Sequence, residues 1–190
     1  MPSERVTTPN LRLISGGQDC QLSLNGIQIV AAAEKPAPFP VDAKAVEQDT
    51  YLVLGEVEEI GEPTESVSEL AAEAARMLPH ALGKVLIRHV QPLEFHVVVH
   101  DFDREPPWNE NWVASGLDGI FREVRQRHIR SLALPLIGTR HGKLPREQFL
   151  ELLRSRLNSV GSLRQLWLVV PRGSGAEILA GLQDDPSAET

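Results

Sequence analysis

Three continuous apolar runs, Val97–Val99, Leu132–Ile137 and Leu166–Val170, constrain the fold more than any other feature of this chain. A strand with one wet face alternates apolar and polar residues. A strand apolar throughout must be covered on both faces, as parallel strands are. Helical patterns separate the runs. Asn111 can cap a helix whose apolar stripe is Val113, Leu117, Phe121 and Val124. Pro145–Leu157 predicts a second helix, with Phe149, Leu152, Leu153 and Leu157 inward, and Ala176–Leu182 a short third. The order strand, helix, strand, helix, strand, helix predicts an α/β sheet covered by helices on both faces.

The first half is less regular. Leu11–Ile14, Gln21–Leu24 and Ile27–Ala32 read as strands, with Asn25-Gly26 as a type I′ hairpin turn. A proline-rich break runs from Glu34 to Pro40, and Thr50–Val57 is expected to be a strand. Ser66 and Glu69 have capping-box spacing. They open a helix with Val67, Leu70, Ala71, Ala74 and Leu78 on one face, ended by Pro79. Lys84–His89 and Phe95–His100 are further strands. Residues 1–10 read as a loose arm, residues 11–182 as one domain, and residues 183–190 as a disordered acidic tail.

Composition narrows the function classes. The 190 residues suffice for one domain with a sizeable core. The formal net charge of −7 argues against unspecific nucleic-acid binding, which rests on neutralising phosphates. Nine basic residues nevertheless fall between Arg122 and Arg156. They fit either a local positive field for an anionic ligand or a set of solvated helix faces. No apolar run is long enough to span a bilayer, and no basic start leads into an apolar core, so neither membrane span nor signal peptide is read. Cys20 is the sole cysteine, which excludes an internal disulfide and a cysteine-based metal cluster. A cytoplasmic location is the expectation.

The chemistry concentrates in Ser131–Pro145, SLALPLIGTRHGKLP. A buried strand opens into a loop holding Gly138, Thr139, Arg140, His141 and Gly142, and a helix pattern follows at once. Loop amides and the unpaired N–H groups of a helix start together make an anion site. Arg172-Gly173-Ser174-Gly175 is a second glycine loop at a helix start, and a plain turn fits it equally. In HVVVHDFD, His96 and His100 stand four apart on a strand, about 13 Å, too far to share a metal. No metal or cofactor is expected. Asp101 and Asp103 emerge at the strand end, where a carboxylate can bind a ribose hydroxyl or activate water, or cap the loop. Ser131, His100 and Asp101 are the residue types of a catalytic triad, without spacing that supports one. Trp108 and Trp112 flank a loop that serves as core anchor or as a stacking surface.

From about Gly83 to Pro171 the chain resembles the macro domain family. The shared features are a strand ending in valine-histidine (His96–His100), a helix from Trp112 to Arg127, the SLALPLIGTRHGKLP loop, and a closing helix and strand. The resemblance implies a three-layer α/β/α fold with a mixed, mostly parallel sheet. It also implies that Gly138, Thr139 and Gly142 wrap a diphosphate through backbone amides. Arg140 and Lys143 stand where the family usually has glycine. The family's Gly-Asp-Ile turn and Asn-Ala-Ala-Asn stretch are echoed only by Gly55-Glu56-Val57 and by Ile29–Glu34, so no family catalytic residue is carried over. Three functions follow as expectations. One is a binding module for ADP-ribose or a related nucleotide diphosphate. Another is an ADP-ribosyl hydrolase whose water is activated by Asp101 or Asp103. The last is a ligand-free interaction domain with a protein partner or a second copy of itself.

Overall fold

The computed structural model describes residues 12–13, 20–54, 78–158 and 160–183. The expected arm (residues 1–10), the helix at 66–78 up to residue 77, the echo at 55–57 and the tail beyond Gln183 lie outside them. Eight strands among the described residues form one sheet. They are β1 (Arg12–Leu13), β2 (Cys20–Leu24), β3 (Ile27–Ala32), β4 (Ala43–Asp49), β5 (Val85–Arg88), β6 (Leu93–His100), β7 (Ser131–Pro135) and β8 (Gln165–Val169). Their spatial order is β1-β2-β3-β8-β7-β4-β6-β5. The five inner strands β3, β8, β7, β4 and β6 run parallel, and antiparallel strands close both edges. The sheet is therefore mixed and mostly parallel, as the family resemblance implies, and its parallel centre is what the apolar runs predict.

Local chemistry sets the boundaries. Asn25 and Gly26 both have positive φ, 52° and 78°, the backbone of a type I′ turn. The β2–β3 hairpin thus turns where expected. The first described helix, α1 (Glu110–Gln126), is capped by Asn109, whose side chain accepts from the Asn111 amide at 2.8 Å. The cap is two residues earlier than expected, because Asn109 has the extended φ/ψ an N-cap needs. Next come α2 (Arg146–Leu157) and α3 (Gly175–Gln183). In α2 the buried residues are Phe149, Leu150, Leu153 and Leu157, with Leu150 rather than Leu152 fully inside.

One expected strand does not form over its described part, residues 50–54. Thr50–Val57 has apolar and β-branched residues, yet the fourth strand lies earlier and ends at Asp49. The cause is the Asp49 carboxylate, which accepts from the Tyr51 amide at 2.6 Å and the Val53 amide at 3.4 Å. This Asx turn reverses the chain where the sequence pattern continues it. Leu52 takes φ 63° in the turn, and Tyr51 and Val53 are exposed.

Alternation along the strands sorts the core onto two faces. Ile29, Ala31, Leu132, Leu134, Leu166 and Leu168 share one apolar cluster with the buried residues of α1, α2 and α3. Val30, Ala32, Ala133 and Trp167 form the opposite cluster, with Phe39 and Val41 from the segment between β3 and β4 packed against it. The three described helices thus share one face. Helix α1 lies close on the sheet because Gly116 and Gly119 present no side chain. A Cβ at Gly116 would stand 2.7 Å from a Val97 methyl, and one at Gly119 2.6 Å from a Val85 methyl.

Candidate functional site

The inner strands all end on one edge, so the loops after β3, β4, β6, β7 and β8 gather there. Strand β4 pairs with β6 along its whole length. It pairs with β7 only at Ala43 and Lys44. Beyond those residues β4 and β7 are no longer bonded to each other, and the sheet opens toward its carboxyl edge. Ligands of open α/β sheets sit in crevices of this kind.

The loop after β7 is held from both sides. Gly138 has φ 80°, and its carbonyl accepts from the Leu144 amide at 3.0 Å, closing the loop. A Cβ at Gly138 would stand 2.8 Å from Val113 in the first turn of α1. Gly142 faces the loop after β6. A Cβ there would meet the Gly138 carbonyl oxygen at 2.7 Å and the Trp108 side chain at 2.9 Å. Trp108 thus anchors the loop. Its partner Trp112 instead lies under the Arg104 guanidinium, 6.0 Å from the ring centroid.

The loop's donors divide into two sets. The Ile137 amide bonds to Pro135, and the Thr139 amide and hydroxyl both bond to the Leu136 carbonyl. Thr139 therefore shapes the loop. The amides of Gly138, Arg140, His141, Gly142 and Lys143 have no protein acceptor among the described residues. Helix α2 starts directly afterwards with no side-chain cap, leaving its first amides open as well. Arg140 and Lys143 are exposed and have no ion-pair partner among the described residues. Open amides and unpaired cations together favour an anion. The loop after β8 is its counterpart. Gly173 has φ 88° with open space around it, and Gly175 lets α3 start against the Ala31 carbonyl.

The strand-end acids have separate roles. Asp101 is buried, and both its oxygens are committed, one to the Asp103 amide at 3.2 Å and one to Arg104 at 2.8 Å. Its own amide bonds to the Pro107 carbonyl, and His100 bridges to Trp108, so this turn brings Trp108 back over the loop. Asp103 is exposed and accepts from the Tyr51 hydroxyl at 3.2 Å. His100 is fully buried. Its Nε2 bonds to Glu47, its Nδ1 has no partner among the described residues, and its ring stacks on Phe102. His141 meets it edge-on, with centroids 6.0 Å apart.

The structure thus joins His100, His141 and the Gly138–Gly142 loop on one edge. Ser131 begins β7 at the opposite end of the sheet, where it bonds Asp42, so no triad forms. His96 bonds Glu94 and Gln48 on the strand and takes no part in the site. Among the described residues no cluster of metal-ligating side chains occurs. Glu47 and Tyr51 are the residues that sequence reasoning missed, because both depend on where β4 runs and ends.

Tyr51 is the only tyrosine, which makes its pair with Asp103 measurable. The hydrogen bond to the Asp103 carboxylate, and then that group's charge, raise the phenol above its ordinary value. Ionisation would break the bond and set two negative charges side by side. Tyrosinate absorbance is therefore expected at higher pH than for free tyrosine, and Asp103→Asn should bring the midpoint down. Identical midpoints in the two proteins would disprove the pairing.

By sequence the chain matches no protein-family model and no curated protein. Solved structures do resemble it. A point mutant of the Oceanobacillus iheyensis macrodomain with ADPR aligns with TM-score 0.58 at 14% identity, over 87% of this chain and 95% of that one. The macrodomain of Thermus aquaticus DarG aligns with TM-score 0.54 at 18% identity, over 75% and 98%. The Trypanosoma brucei macrodomain in complex with ADP-ribose aligns with TM-score 0.54 at 12% identity, over 82% and 67%. The chain has a macro domain-like α/β/α fold.

Proposed function

We propose that this protein binds ADP-ribose or a related nucleotide diphosphate at the loop after β7. The observation that carries the reading is the set of five loop amides, Gly138 and Arg140 to Lys143, that have no protein acceptor among the described residues. They stand at the carboxyl edge of a parallel sheet and lead directly into an uncapped helix. Two structures of similar fold contain ADPR or ADP-ribose, which supports the ligand class. In this reading Gly138, His141 and Gly142 donate backbone amides, Arg140 adds a charge-assisted bond, and Thr139 fixes the loop's shape. Asp103, exposed although it accepts from the Tyr51 hydroxyl, is the carboxylate that would meet a ribose hydroxyl. Asp101 holds the turn that carries Trp108.

Isothermal titration calorimetry with ADP-ribose at low and physiological salt tests this. Micromolar binding that weakens with salt is expected, since cations and amides meet a diphosphate. No heat at millimolar ligand would overturn the reading. Release of ADP-ribose from a modified protein, lost in Asp103→Asn, would instead make the protein a hydrolase.

A further inference from the structure

We propose that the opposite end of the sheet carries a second anion site, built for one phosphate or pyrophosphate group. A groove of about 410 Å³ lies there, lined by His128, Arg130, Ser162 and Arg164. It is separate from the loop after β7, because these residues precede β7 and β8 whereas the loop follows β7.

Strand register brings the two arginines together. Ser131 pairs with Gln165 as the first couple of the β7–β8 ladder, so Arg130 and Arg164 stand side by side just before it. The Arg130 carbonyl accepts from the Arg164 amide at 2.8 Å and the Gln165 amide at 3.0 Å, which fixes that adjacency. Neighbouring strands are about 4.8 Å apart, and like charges directly opposite one another are destabilising. Asp42 is the carboxylate beside Arg130. It is already used as acceptor by the Arg130 and Ser131 amides, at 2.9 and 3.0 Å. Neither guanidinium has a hydrogen bond or a close ion pair among the described residues, although the Asp42 charge acts on Arg130 and offsets part of the repulsion. A bound anion would relieve this repulsion through charge-assisted bonds from both arginines.

The backbone also sets the place of His128, the third nitrogen-bearing side chain that lines the groove. His128 has φ 54°, in the left-handed region where glycine is the usual residue after a helix. The Ile129 amide bonds back to the Val124 carbonyl at 3.0 Å, and Ser162 donates to the same carbonyl at 3.2 Å. The end of α1 is closed by these bonds, so its Val124 carbonyl is not left unpaired. A side chain at this strained position costs more than glycine would, and here it puts an imidazole on the groove wall. The net charge of −7 disfavours a polyanionic strand.

The test is an amide NMR titration of the full chain with inorganic pyrophosphate. Amides at 128–131 and 162–165 are expected to shift, saturating separately from any shifts at 138–143. Arg164→Gln should weaken that binding about tenfold, the loss of one bond to a charged group. It should leave the ligand-free stability in urea equal or higher, since a like charge is removed. No shifts at 128–131 and 162–165 at millimolar pyrophosphate would overturn the proposal. Unchanged affinity in Arg164→Gln, or a fall in ligand-free stability, would overturn it too.

Discussion

Gly142→Val is expected to lower ADP-ribose affinity about a hundredfold, the loss of two amide bonds to a diphosphate. The geometry gives the reason. A Cβ at residue 142 would stand 2.7 Å from the Gly138 carbonyl oxygen and 2.9 Å from Trp108. The valine would therefore push against protein atoms on both sides of the loop. To fit, the loop must move off Trp108, and the open amides from Gly138 to Lys143 lose their common arrangement. The Gly138–Leu144 bond that closes the loop would go with it. The core is expected to persist, because His141 and Lys143 on either side are exposed and α2 starts beyond them. Calorimetry for affinity and far-ultraviolet circular dichroism for the fold check both parts. Arg140→Ala serves as the second variant. Its side chain has no protein partner among the described residues, so its loss should spare the fold and weaken binding about tenfold. Full affinity in both variants would remove this loop from the binding site.

The sheet's centre was legible because burial on both faces leaves no room for polar residues. Leu132–Ile137 and Leu166–Val170 announce β7 and β8 for that reason, and the loop between β7 and α2 came with them. Strand β4 was not legible. Its sequence, AKAVEQD, alternates small alanines with Lys44, Glu47, Gln48 and Asp49. Such residues form a strand only because β6 and β7 supply ladder bonds on either side. Nor did sequence show that Asp49 ends the strand, since an Asx turn rests on side-chain geometry rather than periodicity. The site inherits both gaps. Glu47 reaches buried His100, and Tyr51 reaches Asp103, only once β4 is placed. The two commitments of Asp101 were hidden likewise, because the turn that returns Trp108 has no pattern of its own.

Stability rests on the same central strands, and Phe95→Ala is expected to cost about 4 kcal/mol. Phe95 is fully buried in β6, among the largest side chains of the core. Its ladder neighbours are Ala45 on β4 and Ile87 on β5. Ala45 has one methyl and cannot swing into the space a phenyl ring leaves. The parallel pairing of β4 with β6 over seven residue couples keeps the backbone from closing it either. A cavity therefore persists, and its cost adds to the lost transfer energy of the ring. Phe95→Leu keeps most of the volume and should cost roughly 1–2 kcal/mol. Urea unfolding reads both, with the midpoint falling in the order wild type, Leu, Ala at constant slope. Phe95 lies five residues before His100, on the strand's interior rather than at its end. Below its melting transition the alanine variant should thus bind ADP-ribose as wild type does. A loss of stability under about 1 kcal/mol would mean that the core around β6 collapses into the gap, and that the small side chain of Ala45 does not hold the cavity open.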